Sequence, residues 1–234
     1  MSKLHNNNEL RFLLICAIFL GSVIWFLPST DYELTQSECD KLIKLGNEKY
    51  RKDFEFDSSW DFEKPLCNSP EITVLNALYF LDTTVTLLPS DEQEFDFYDW
   101  AKQLKPILRR QDILAFSGVA NFEENSIAIS NHELEKTNPV SLSNIFIHEL
   151  RHLEQGFNSH VPCVRHEQLT CDARLEENLF EGGAYNYNVA YLHRLISYSA
   201  ITRSQKYSAT NLLSNVLETK INAISNEARD KYAS

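Results

Sequence analysis

The stretch His148-Glu149-Leu150-Arg151-His152 restricts what this chain can fold into more than any other. Around it Leu142, Ile145, Phe146, Leu150 and Leu153 recur at the helical period, which predicts one helix with an apolar face turned to a core. Ser141 or Ser143 can cap its start and Gly156 can end it. Residues four apart lie one turn apart on the same side of a helix, so both imidazoles leave it in one direction. The domain therefore has to bury one face of this helix while holding a polar cluster against it.

The flanking pattern gives the rest of the architecture. Ser37 to Tyr50 reads as a helix behind a Ser37 cap, and Ile72 to Leu81 as a second. Asp91 to Trp100 alternates acidic and aromatic residues and leads into a helix over Ala101 to Arg110. Ile113 to Val119 and Ser126 to Ser130 read as two strands of a small sheet. Pro139 sits in the loop before the motif helix, and Phe157 to Cys171 forms a second break. Asp172 then caps a long helix from Ala173 to about Tyr198, and a final amphipathic helix covers Ser208 to Ala233. Strands followed by helices predict a mainly helical α+β domain: a small β-sheet, the motif helix and a downstream helix.

Phe12 to Leu27 is an uncharged run of sixteen residues closed by Pro28. As a helix it reaches about 24 Å, slightly short of a bilayer core. It ends in Trp25, Phe26 and Leu27 rather than in small residues, which favours an uncleaved signal-anchor over a cleaved signal peptide, the secreted alternative. Lys3 and Arg11 precede the run and Asp31, Glu33, Glu38 and Asp40 follow it, so the N-terminus is expected in the cytoplasm and the body outside it. This divides the chain into residues 1–30, cytoplasmic tail and anchor, and 31–234, one extracytoplasmic domain, periplasmic or extracellular. Setting aside Lys3, Arg11 and Glu9 leaves the body 20 basic and 32 acidic side chains, a formal charge of −12. That field disfavours nucleic acid as a partner. Cys39, Cys67, Cys163 and Cys171 remain in the body, and in an oxidising compartment the simplest pairing is Cys39 with Cys67 and Cys163 with Cys171. The competing reading makes His160, Cys163, His166 and Cys171 a second, structural zinc cluster.

Two imidazoles from one helix can bind a single zinc ion, and Glu149 beside them can take a proton from a zinc-bound water and pass it to a leaving amine. A third ligand completes the site while leaving a position open for water. Glu181 is the first choice, in Leu175-Glu176-Glu177-Asn178-Leu179-Phe180-Glu181-Gly182-Gly183-Ala184-Tyr185. Gly182 and Gly183 within that helix would let it pack closely on the motif helix, at a helix-propensity cost of about 0.8 to 1 kcal/mol each. Glu177, Asp172 and His160 stay open as alternatives. Tyr185, one helical turn past Glu181, can either donate to a developing oxyanion or serve as a core tyrosine. A metzincin pattern would need histidine where Asn158 stands.

His148, Glu149, His152 and Glu181 together resemble the gluzincin metallopeptidases, the broad thermolysin-like group, over Ser143 to Tyr185. Arg151 occupies a position that usually holds an uncharged residue in that group. The resemblance implies a zincin-like domain holding one zinc ion per chain by His148, His152 and Glu181, with Glu149 as general base. The implied activity is a zinc-dependent hydrolase, a peptidase acting on peptide or protein substrates and tethered to the membrane through the N-terminal segment. The expectation from a different class is a disulfide-stapled extracytoplasmic binding or inhibitory domain whose metal is structural or absent.

Overall fold

The computed structural model describes residues 33–84, 95–113, 116–136, 138–155, 157, 182–197 and 201–220. The apolar run Phe12 to Leu27, the candidate ligands His160, Asp172, Glu177 and Glu181, and the cysteines Cys163 and Cys171 lie outside them, as do His166, Gly156 and the chain after 220. Among the described residues no helix is long and apolar enough to cross a membrane.

The first helix, α1 (Gln36–Leu45), starts two residues earlier than the Ser37 cap implies. Thr35 is the cap, because its side chain accepts from the Glu38 amide while the Glu38 carboxylate takes the Thr35 amide. A π-helical turn (Gly46–Tyr50) and a short turn (Arg51–Asp53) carry it to strand β1 (Glu55–Phe56). Cys39 and Cys67 are joined by a disulfide with their Cα atoms 5.5 Å apart, the pairing that spacing favours. Helix α2 (Pro70–Thr84) contains the expected 72–81 segment. It is buried over most of its length, with Ile72, Val74 and Ala77 fully enclosed.

The next stretch departs from the expected 101–110 helix. Helix α3 (Phe97–Leu104) is capped by Asp96 and stopped by Lys105, whose φ of 46° places it in the left-handed region. Asn125 donates to the carbonyls of Leu104 and Lys105, satisfying the helix end from a distant turn. The chain then becomes strand β2 (Ile107–Gln111). The first expected strand, Ile113 to Val119, is displaced: β3 covers Gly118–Asn121, while β4 covers Ser126–Ser130 as anticipated.

The four strands form one mixed sheet in the order β1-β2-β4-β3. β2 runs parallel to both β1 and β4, and β3 lies antiparallel to β4 at the edge. Leu108, Ile127 and Ile129 are fully buried. A short helix, α4 (Asn131–Glu135), leads to the motif helix α5 (Pro139–His152). Asn138, not Ser141 or Ser143, caps α5, and Pro139 is its first residue rather than a loop residue. Proline suits that position because no helical acceptor awaits its missing amide hydrogen. Ser143 is fully buried and lies 2.6 Å from the Tyr191 hydroxyl.

Helix α6 (Ala184–Ser197) covers the later part of the expected 173–198 helix, whose start at Asp172 and Ala173 lies outside the described residues. Gly182 and Gly183 precede it rather than lying inside it, and the Gly183 carbonyl accepts from the Asn186 amide. A Cβ on Gly182 would sit 2.1 Å from Asn186 Nδ2, so this glycine makes room for the first turn of α6 and not for a helix–helix crossing. Helix α7 (Arg203–Asn215) starts earlier than Ser208, behind a Thr202 capping box, and passes into a π-helical turn at Val216–Lys220. The result is an α+β domain in which α5 packs on α2, α6, α7 and the edge strand β3.

Candidate metal centre at the end of the motif helix

His148, Glu149 and His152 all leave the last turn and a half of α5. Glu149 and His152 are buried and His148 is half-buried, so this end of the helix does not lie on the surface. Glu154 is engaged elsewhere, accepting from Trp100 Nε1 at 3.1 Å and pairing with Arg151.

Each ring is oriented through its Nδ1. His152 Nδ1 lies 2.6 Å from the Phe157 carbonyl, which can only accept, so Nδ1 carries the hydrogen. His148 Nδ1 lies 2.8 Å from Asn188 Oδ1. The Asn188 amide is itself fixed, since its nitrogen donates to the Asn144 backbone oxygen and to Asn144 Oδ1, both at 2.8 Å. Oδ1 is therefore the atom facing His148, and there too Nδ1 carries the hydrogen. Both Nε2 atoms are then the lone-pair nitrogens, and they face each other at 3.3 Å with the rings steeply inclined.

Two nitrogens bound at 2.0 to 2.1 Å to one tetrahedral zinc lie about 3.3 to 3.4 Å apart. The separation, the tautomers and the polar groups behind the rings all fit such an ion, with the outer partners supplying the hydrogen bonds that orient ligating imidazoles. Among the described residues no group of three His, Cys, Asp or Glu side chains gathers around it. The candidate third ligands are in the segment outside the described residues.

Glu149 points to the sheet, where its Oε2 accepts from the Ala120 amide of β3 at 2.9 Å. Gly118, two residues earlier on the same strand, permits this approach: a Cβ there would lie 3.1 Å from Glu149 Cγ and 2.9 Å from Ile145 Cγ2. Tyr185, on the first turn of α6, packs against His148 with ring centroids 4.6 Å apart. Its expected relation to Glu181 as one helical turn away does not hold, because α6 starts only at Ala184.

Arg151 is 3% exposed. Its guanidinium donates twice to the Gly182 carbonyl, at 3.1 and 2.8 Å, and lies between the rings of Phe157 at 3.3 Å and Tyr187 at 4.5 Å. Sequence reasoning missed Asn188, Asn144 and the Phe157 carbonyl altogether. Only the four-residue step from Asn144 to His148 hints that those two side chains share a helix face. No protein-family model matches the sequence, and neither the curated proteins nor the solved structures include a match.

Proposed function

We propose that the chain is a zinc-dependent hydrolase of the peptidase kind, built on a zincin-like domain. His148 and His152 would hold the ion through Nε2, and Glu149 would serve as the general base. The observation that carries this reading is the pair of Nε2 lone-pair atoms at 3.3 Å, each turned inward by a hydrogen bond behind it. Glu181 is the proposed third ligand. It is bonded directly to Gly182, whose carbonyl the motif helix grips through Arg151.

Zinc held there by His148 and His152 would supply a Lewis acid able to polarise a carbonyl and lower the pKa of water. The residues do the rest. The Ala120 amide steadies the Glu149 carboxylate beside the histidines, where it can accept a proton from water and return it to the leaving amine nitrogen. β3 is the sheet edge in the described fold, and the Ala120 amide points away from β4 toward Glu149. An extended peptide can add to such an edge through main-chain hydrogen bonds, which favours a peptide substrate. The Cys39–Cys67 bridge supports an oxidising compartment outside the cytoplasm, in keeping with the proposed signal-anchor at Phe12 to Leu27.

Metal analysis and peptide hydrolysis measured side by side test this. Glu149→Gln should keep about one zinc per chain while hydrolysis falls at least about 100-fold. Glu181→Ala should lose metal and activity together, with Glu177→Ala retaining both. A parent protein that neither binds zinc nor hydrolyses peptides would favour the binding-domain reading.

A further inference from the structure

We propose that Arg151 is a positioning residue for the His148–His152 pair, acting on His152 through Phe157 and on His148 through the start of α6. The inference rests on the metal-centre reading above for its functional meaning, though its structural core concerns only how the two rings are held.

A guanidinium only 3% exposed is costly to bury unless its donors are taken up, and among the described residues Glu154 is its carboxylate partner. Arg151 packs against the Phe157 and Tyr187 rings and is shielded from solvent, so surface charge does not explain it. What it touches does. The Phe157 ring lies flat enough on the guanidinium to bring its centroid within 3.3 Å, and the carbonyl of that residue is the acceptor that sets the His152 tautomer. No side chain makes this hydrogen bond, so the position of the carbonyl depends on what anchors residue 157. Two further donors go to Gly182 O, immediately ahead of the helix whose Tyr185 packs on His148 and whose Asn188 receives the His148 Nδ1 hydrogen. One planar fork thus fixes the chain on both sides of segment 158–181 to the turn of α5 that carries the histidines.

A simpler role, neutralising Glu154, makes a different prediction, because lysine could perform it. Lysine has neither the fork that reaches Gly182 while pairing with Glu154 nor the flat face that stacks on Phe157.

The test uses the full chain with Arg151→Lys, Phe157→Ala, the double variant and Glu154→Gln, each checked for folding by circular dichroism. Histidine side-chain nitrogen–proton NMR of the metal-free protein, above the ordinary histidine pKa of about 6.5, reads the tautomer directly. The parent should show His152 hydrogen on Nδ1. Arg151→Lys and Phe157→Ala should each convert it to a mixture with the Nε2 tautomer, and Glu154→Gln should not. Zinc affinity, from chelator competition, should fall about 10-fold or more in both single variants. The double variant should fall little further than Arg151→Lys alone, because the Phe157 contact is one of the two through which Arg151 acts. An unchanged His152 tautomer in folded Arg151→Lys and Phe157→Ala would overturn the proposal, as would a Glu154→Gln variant that matches Arg151→Lys. If Phe157→Ala alone folds, its tautomer decides in the same way. Tautomer changes as expected in a protein that binds no zinc would support the positioning role and sink the metal-centre reading instead.

Discussion

The two halves of the motif helix are equally buried and opposite in content. In the first, Val140, Leu142, Phe146 and Ile147 are at most 2% exposed, and they stabilise the domain by leaving water, about 1.5 to 3 kcal/mol for each large apolar side chain. In the second, Glu149, Arg151 and His152 are 3 to 4% exposed. Groups of this kind destabilise a core unless each finds a hydrogen-bond partner, and here each does, on β3, at Gly182 and at Phe157. One half of the helix makes the fold stable. The other spends part of that stability on holding polar atoms in a fixed arrangement.

Substituting within the apolar half should separate the two contributions most sharply. Phe146→Ala removes a 2% exposed ring from the core and should cost about 3 to 5 kcal/mol of unfolding free energy in denaturant titration. In the molecules that remain folded, zinc affinity should stay within about threefold of the parent, since the ring orients neither imidazole. A large loss of zinc affinity at low denaturant would show that the site is not insulated from the core.

Asn188→Ala makes the converse cut. It leaves the His148 ring without its Oδ1 acceptor and Asn144 without two incoming hydrogen bonds. Stability should fall by only about 1 to 3 kcal/mol, while zinc affinity measured by chelator competition should drop about 10- to 100-fold. If affinity holds while stability collapses, Asn188 is simply a satisfied core amide.

The same division explains what could be read from the sequence. The apolar period of α5 and the spacing of its histidines are local, and both were legible. So was the Cys39–Cys67 pairing. The strand Ile107–Gln111 was not, because Arg109 and Arg110 look like a solvated helix face until Glu124 and Glu71, distant in sequence, accept them. Lys105 in the left-handed region carries no local signal either, since the carbonyls it exposes are satisfied by Asn125 from another turn. Asn188 and Gly182 were hidden for the same reason. A polar residue in a helical pattern reads as surface, and two glycines read as a packing device, until tertiary contacts assign them. His148, Glu149 and His152 were visible as residue types in order, whereas the groups that orient the two rings come from contacts across the fold.

The smallest effect is expected where the helix begins. Asn138 Oδ1 accepts from the Val140 and Ser141 amides at 3.0 and 3.4 Å, and its amide nitrogen donates to Ser208 Oγ in α7 at 3.2 Å. Asn138→Ala removes the cap and should lower the thermal midpoint by an amount equivalent to about 1 kcal/mol. Asn138→Asp should recover most of that loss. A carboxylate caps the same amides and is favoured by the helix dipole, and the Ser208 hydroxyl can turn to donate where it formerly accepted. Residue 138 lies about 15 Å along the axis from His148, so neither substitution should change zinc affinity measurably. Should Asn138→Ala weaken zinc binding as much as Asn188→Ala does, the helix responds as one rigid unit, and the separation between its stabilising and its positioning half fails.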